Sequence, residues 1–154
     1  MSDIDSVIDN HHGNTRTVLE YSRTVGRLVH EAKKPGFTVE SWAPLARLVD
    51  TENFVRVGNF KEVMNWAQYT AFLTGWATAS LWDATFRRIS TVEGIVFLEL
   101  EEHSTIGDFH SVVNSASIYE FDDAGRIARV DVYLQMELPS PDLLAGGLSG
   151  DTAQ

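Results

Sequence analysis

Histidines and clustered carboxylates are the residues of this chain whose types and spacing could bind a metal ion. His11 and His12 are adjacent, but no further ligand stands near them, so a solvated segment is the better interpretation. Glu99, Glu101 and Glu102 crowd one predicted strand. No histidine or aspartate joins them at ligand spacing, which favours a solvated face over a divalent-cation site. We therefore expect no metal and no other cofactor.

Other kinds of chemistry need residues that the sequence lacks. The chain has no cysteine, which excludes disulfides and a thiolate nucleophile and is typical of a reducing compartment such as the cytoplasm. No serine stands in a Gly-x-Ser-x-Gly context, and no glycine-rich phosphate loop is present. The tryptophans could form an aromatic binding box, but their helical and strand spacing is more typical of a hydrophobic core. They are Trp42, Trp66, Trp76 and Trp82.

The second half of the chain carries most of its negative charge. The 154 residues include 12 Lys and Arg against 22 Asp and Glu, a formal net charge of −10. Residues 1–77 hold 8 basic and 9 acidic side chains, whereas residues 78–154 hold 4 and 13. This balance disfavours binding to nucleic acid or to an anionic membrane surface, because both need clustered basic residues. The length and the 44% hydrophobic content suit one domain with a single core.

Hydrophobic periodicity predicts helices in the first half and strands in the second. Apolar residues at spacings of three and four indicate a helix from Asn14 to about residue 34, and a shorter helix over 38–48. A short strand covers 53–57, and the sequence from Asn59 to Glu62 resembles a capping box that begins a third helix. The period then changes to two in four segments: Leu81–Ile89, Ile95–His103, Phe109–Phe121 and Arg126–Leu134. Helices followed by an antiparallel meander indicate an α+β domain.

Both ends of the chain are expected to lie outside this domain. Residues 1–13 are polar and predict a flexible tail, and residues 138–154 are rich in Pro, Gly, Ser and Leu and predict a loosely ordered one. Leu143 and Leu144 could fold back over an apolar opening. The acidic start lacks the basic and apolar regions of a signal peptide, and no run approaches the ~18 apolar residues of a membrane span. We expect a single domain over 14–137, located in the cytoplasm and not in a membrane.

Three segments of the sequence carry a pattern beyond periodicity: LARLVDTENFVRVGNFKEV, VEGIVFLELEEHS and IYEFDDAGRIARVDVYL. With the order of the elements, they resemble the NTF2-like superfamily (cystatin-like α+β cone), and within it the SnoaL-like and ketosteroid-isomerase-like branch. The resemblance implies a cone in which three N-terminal helices pack in a strongly curved antiparallel β-sheet around a deep apolar pocket. It also implies a dimer through the convex sheet face, since many members associate in that way.

Aligning these segments with the family gives the register of the sheet and therefore the facing of each side chain. A one-residue slip would exchange the two faces. With Tyr21 on the first helix and Arg56 on the first strand, the pocket-facing residues would be Phe54, Val96, Leu98, Leu100, Glu102, Val113, Ser115, Ser117, Val130, Val132 and Leu134. The convex face would carry Phe97, Glu99, Glu101, His103, Val112, Asn114, Ala116, Ile118, Arg129, Asp131 and Tyr133.

The catalytic sets known in the family are incomplete here. Tyr21 matches the tyrosine of ketosteroid isomerases, but Arg56 stands at the position of the carboxylate base and Ser117 at that of the protonated acid. An arginine stays charged and cannot abstract a proton near neutral pH. Of the Asp–Arg–Asp set of limonene-epoxide-hydrolase-like members, only the carboxylate at Glu102 remains. Neither mechanism is preserved as such.

Glu102, Arg56 and Tyr21 are left as the candidate catalytic residues. Glu102 would act as a general base, with Arg56 as its ion-pair partner because neither charge is tolerated alone in an apolar cavity. Tyr21 would donate a hydrogen bond to a substrate oxygen. The alternative is that Arg56 and Glu102 form a structural bridge at the rim, or do not meet. The predicted substrate-binding residues are Phe54, Leu98, Leu100, Val113, Ser115, Ser117, Val130, Val132 and Leu134.

Two functions follow from the resemblance. The first is a cofactor-independent isomerase, dehydratase, cyclase or epoxide hydrolase that acts on a hydrophobic small molecule of polyketide, terpenoid or steroid character. The alternative is a non-catalytic ligand-binding or dimeric assembly module, favoured by the incomplete catalytic sets.

The convex face predicts a homodimer. Apolar residues such as Phe97, Ile118 and Tyr133 would lie on a surface that a monomer leaves in water. Charged residues are interleaved with them, and we expect Arg129 of one subunit to meet Glu99 or a neighbouring glutamate of the other.

Overall fold

The structure, a computed structural model, describes residues 3–138. The α-helices are α1 (Ile4–Val7), α2 (Gly13–Glu31), α3 (Ala43–Ala46) and α4 (Trp66–Ala79), with short 3-10 helices at Ile8–Asn10 and Val39–Trp42. The strands are β1 (Val55–Val57), β2 (Val63–Met64), β3 (Ser80–Val92), β4 (Ile95–Ile106), β5 (Phe109–Phe121) and β6 (Ile127–Met136). This order confirms the predicted α+β class. The prediction for the tail after β6, including Leu143 and Leu144, concerns residues almost entirely outside the described part.

The six strands form one open sheet in the order β2-β1-β6-β5-β4-β3. Strands β3 to β6 are joined by hairpins and pair antiparallel, but β1 pairs parallel with β6, with Arg56 opposite Val130. The prediction of an antiparallel sheet therefore needs one correction, since the sheet is mixed. A hairpin forces neighbouring strands to run in opposite directions, whereas β1 reaches β6 through a long connection that leaves the direction free.

The turns between the long strands lie at the glycines that the sequence offers. Glu93 and Gly94, with φ of 52° and 79°, link β3 to β4 as a two-residue turn. Positive φ at both positions is the signature of the turn type that matches the twist of a hairpin. The following separators, around Gly107 and Gly125, also have positive φ. Fixed turns fix the register, and this places Leu98 opposite Ser117 and Ser117 opposite Val132.

The predicted helix start at Asn59 is wrong, because the chain closes a tight turn there. The backbone N–H of Gly58 donates to the carbonyl of Glu62, and that of Lys61 donates to the carbonyl of Gly58. Lys61 has a φ of 62°, which no helix accepts. The true capping box is six residues later, where Asn65 accepts a hydrogen bond from the backbone of Gln68. Residues 59–62 and 65–68 both have an asparagine followed three residues later by Glu or Gln, the pattern of a capping box. Strand β2 lies between them in the chain.

Residues 3–10 also differ from the expected flexible tail. They form α1 and a 3-10 turn, and the side chains of Ile4 and Ile8 are each only 1% exposed. The carboxylate of Asp3 accepts a hydrogen bond from the backbone N–H of Phe86 on β3. Two isoleucines four residues apart share one face of a helical segment. The segment was predicted to be a solvated tail because acidic residues surround these two isoleucines in the sequence.

The core lies between the helices and the concave face of the sheet. Its most buried side chains, at most 1% exposed, come from several elements. They include Leu19 of α2, Trp42 of the 3-10 helix before α3, Leu45 of α3, and Val96 and Leu98 of β4. Burial of each such side chain stabilises the fold by about 1.5–3 kcal/mol. Among residues 3–138, no helix is long and apolar enough to cross a membrane.

Candidate functional site

A cavity of about 260 Å³ lies between α2, α4 and the concave face of the sheet. Its walls are mostly apolar, with Val25 from α2, Leu73 from α4 and Leu100, Val130 and Val132 from the strands. The volume is close to the lower end of the ~300–1,000 Å³ of small-molecule sites, so a bound molecule would be small.

Aromatic side chains form one side of the cavity. Phe72 and Trp76 from α4 and Trp82 from β3 line it, and the rings of the two tryptophans meet edge to face with centroids 6.2 Å apart. The other two tryptophans pack elsewhere: Trp42 is 1% exposed in the core, and Trp66 lies against Phe54. The four tryptophans therefore divide between the two predicted roles. Trp76 and Trp82 line the cavity, whereas Trp42 and Trp66 pack with the core.

Three buried tyrosines meet at the inner end of the cavity. Tyr21, Tyr69 and Tyr119 are 5%, 8% and 5% exposed, and the rings of Tyr21 and Tyr119 are 5.8 Å apart. Burial raises the pKa of Tyr21 well above its usual value, the two other tyrosines raise it further, and the charge of Arg56 lowers it. Burial likewise raises the pKa of Tyr119. Both phenols are therefore neutral near pH 7 and can donate hydrogen bonds.

Arg56 lines the cavity beside these tyrosines and brings a positive charge to it. Its side chain is 17% exposed, and its guanidinium lies 4.8 Å from the centroid of the Tyr69 ring. Its ion-pair partner is Glu62, with Nη1 and Oε1 at 3.8 Å. At 3.8 Å this contact is too long for a hydrogen bond, and the guanidinium makes no hydrogen bond to another residue within residues 3–138. Its donors are therefore available to an acceptor in the cavity.

Glu102 lines the cavity from β4, and an indole N–H holds its carboxylate in place. Nε1 of Trp82 donates to Oε1 of Glu102 at 2.9 Å. No cation of residues 3–138 lies within ion-pair distance of this carboxylate. The group is thus oriented by a neutral donor and keeps its second oxygen for other partners.

The ion pair expected between Arg56 and Glu102 is not formed in residues 3–138, although both side chains line one cavity. Arg56 lies opposite Val130 on β6, whereas Glu102 lies opposite Val113 and through it opposite Met136. The two positions are offset by six residues along the strands and by three strands across the sheet. Both charges nevertheless act on the phenol of Tyr119, since Arg56 lowers its pKa and Glu102 raises it.

Eight of the twelve predicted site residues line the cavity, and four lie outside its wall. The eight are Tyr21, Arg56, Leu100, Glu102, Ser117, Val130, Val132 and Leu134. Phe54 and Leu98 are 2% and 1% exposed and belong to the core beneath the cavity. Val113 and Ser115 face the same way as Glu102 and Leu100, their partners across β4 and β5, but lie beyond the lining.

Several lining residues were missed by the sequence analysis. Tyr69 and Phe72 lie on α4, whose start the sequence placed six residues too early. Tyr119 continues the alternation of Ser115 and Ser117 on β5, so extending that row by two residues would have found it.

Glu99 and Glu101, the acidic residues next to Glu102 on β4, point to the opposite face of the sheet. Glu99 pairs with Arg88, and Glu101 contacts Nε2 of His103 at 2.9 Å. Arg129 contacts Asp131 and Glu120 of its own chain. In residues 3–138, no group of three or more His, Cys, Asp or Glu side chains gathers as a metal site.

No protein-family model matches the sequence, and no curated protein matches it. Solved structures match its fold. A SnoaL-like protein of Shewanella putrefaciens CN-32 superposes with a TM-score of 0.65 over 86% of each chain, at 9% identity. An LEH-like epoxide hydrolase of M. tuberculosis gives 0.55 over 85% of this chain and 98% of that chain, at 17% identity. An NTF2-like protein from Cytophaga hutchinsonii ATCC 33406 gives 0.54 over 88% and 96%, at 13% identity. Identities this low make the likeness one of fold alone.

Proposed function

The chain has the NTF2-like fold, and from this premise we propose that its cavity binds a small hydrophobic molecule on which Glu102 acts as a general base. The observation that carries the proposal is a carboxylate in a largely apolar cavity, oriented by the indole of Trp82 and paired with no cation of residues 3–138. A carboxylate in such a cleft is a common form of catalytic base.

The inner end of the cavity supplies the complementary groups. Tyr21 and Tyr119 are neutral phenols, and Arg56 has free N–H donors. Donors fixed in a water-poor cavity stabilise negative charge that develops on a substrate oxygen. Removal of a proton by Glu102, with the carbonyl oxygen of the same substrate held by these donors, fits a cofactor-independent isomerase, dehydratase or cyclase. With an epoxide, the proton removed by Glu102 would come from water.

A non-catalytic ligand-binding module is the second candidate. It is favoured by Arg56, which pairs with Glu62 and forms no ion pair with Glu102 within residues 3–138. In this case the cavity would retain a ligand without converting it. Binding by the wild-type protein with no turnover of any ketone, enone or epoxide tested would support this candidate over the enzyme.

Ligand binding in the cavity can be tested by filling it. We expect the aryl ketone 2-acetonaphthone to bind with a Kd in the micromolar to millimolar range, about −8 to −4 kcal/mol. Val132→Trp should weaken this binding at least about tenfold, because the indole occupies the cavity that Val132 lines. Tyr133→Trp adds a similar side chain one residue later on the exposed convex face and should change little. Isothermal titration calorimetry measures all three, and equal affinities would contradict the proposed site.

We further propose a homodimer through the convex face, in a protein located in the cytoplasm. Tyr133 is 60% exposed on this face. The charged residues of the face have partners within their own chain, so the dimer would depend on the apolar ones. Light scattering should give about twice the monomer mass of 17.2 kDa, and Tyr133→Asp should return the protein to the monomer. A monomeric wild-type protein at tens of micromolar, where a standard-size interface would stay closed, would contradict the dimer.

A further inference from the structure

Glu62 lies outside the cavity wall, yet the hairpin between β1 and β2 is built around its carboxylate. Oε2 of Glu62 accepts a hydrogen bond from the backbone N–H of Phe60 at 2.9 Å, and Oε1 faces Nη1 of Arg56 at 3.8 Å. Gly58 makes this placement possible, since a Cβ there would collide with the Glu62 carboxylate. The positive φ of Lys61 completes the turn. The local structure thus holds a negative charge within ion-pair distance of Arg56.

This charge changes what the inner end of the cavity can accept. Arg56 alone would favour a carboxylate, because a guanidinium fork matches two carboxylate oxygens. With Glu62 within ion-pair distance, the charge of Arg56 is already compensated, while its N–H donors remain free. Together with the neutral phenols of Tyr21 and Tyr119, this end offers several donors and no uncompensated positive charge. A neutral carbonyl oxygen satisfies such donors without bringing a second negative charge close to Glu62.

We propose that Glu62 determines ligand specificity: by compensating Arg56, it makes the cavity select a neutral carbonyl compound over the corresponding carboxylate. The inference rests on the proposed function, because it assumes that ligands occupy the cavity. Glu62 acts through Arg56 and is a positioning residue without contact to the ligand. A keto compound or an amide would bind, and the isosteric acid would be rejected.

Two probes of equal shape and different charge test the proposal. 2-Naphthamide carries a neutral carbonyl, and 2-naphthoate carries a carboxylate in its place. The wild-type protein should bind the amide more tightly. Glu62→Gln removes the charge at nearly constant size and should raise the affinity for 2-naphthoate by about ten- to a hundredfold, since a like charge close to the ligand is lost. The affinity for 2-naphthamide should change by less than about threefold.

Two control variants separate charge from structure. Glu62→Asp keeps the charge and should keep the preference for the amide. Glu93→Gln removes an exposed carboxylate in the turn between β3 and β4, next to the opposite edge strand of the sheet, and should leave both affinities unchanged. A thermal melt of each variant checks that the hairpin still folds. A loss of stability alone would weaken both probes equally and would not reverse their order.

The outcomes separate the two proposals. If both probes bind and Glu62→Gln leaves their affinity ratio unchanged, Glu62 has no role in specificity and the proposed function stands. If Glu93→Gln shifts the ratio as much as Glu62→Gln does, the effect is general charge and the assignment is equally overturned. If neither probe binds, both the proposed function and the role of Glu62 are contradicted.

Discussion

Replacing Glu102 by glutamine is expected to lower turnover by about 10²- to 10⁴-fold, the usual contribution of a positioned general base. The amide still accepts the hydrogen bond from Trp82, so the side chain keeps its place while it loses the ability to take up a proton. Ligand affinity should change much less than turnover. The measurement is kcat and Kd on a substrate found by screening small aryl ketones, enones and epoxides.

Matched variants make this result specific to the cavity. Glu101→Gln changes the neighbouring carboxylate, which contacts His103 on the other face of the sheet, and turnover should stay within about twofold. Trp82→Phe removes the donor that orients Glu102 and is expected to lower kcat less than Glu102→Gln does, because the carboxylate that takes up the proton is still present. Unchanged turnover in Glu102→Gln would remove Glu102 from any essential role.

Phe54→Ala should reduce the free energy of unfolding by about 3–5 kcal/mol, the range for truncating a buried phenylalanine. Phe54 is 2% exposed and packs between Trp66, at 5.2 Å between centroids, and Tyr69, at 5.9 Å. Its loss leaves a void beneath the cavity that these rings cannot fill without moving. Urea unfolding measures the change.

An exposed phenylalanine provides the control. Phe60, at the tip of the hairpin between β1 and β2, is 80% exposed, and Phe60→Ala should change stability by no more than about 0.5 kcal/mol. A Phe54→Ala variant of normal stability that loses affinity for 2-acetonaphthone would instead identify Phe54 as a ligand contact, as the sequence analysis predicted.

Local patterns account for the features that the sequence predicted well. Period-two alternation identified all four long strands, because successive side chains of a strand point to opposite faces wherever it lies. Glycines located the turns, because glycine adopts the positive φ of such turns without steric cost. The helix boundary failed because Asn59 and Asn65 both begin a plausible cap. Choosing between them depends on whether β2 can pair with β1, which is a contact between distant parts of the chain.

The sequence by itself determined the fold class, because periodicity follows from the spacing of neighbouring residues. Its resemblance to the NTF2-like superfamily implied the two faces of the sheet and the candidate groups Tyr21, Arg56 and Glu102. Only the tertiary structure decided which groups meet. Arg56 pairs with Glu62 and not with Glu102, and Glu102 is held by Trp82. The physical reason is that an ion pair depends on a few ångströms of separation. That separation is set here by three strand pairings and one hairpin, none of which is encoded within any single segment.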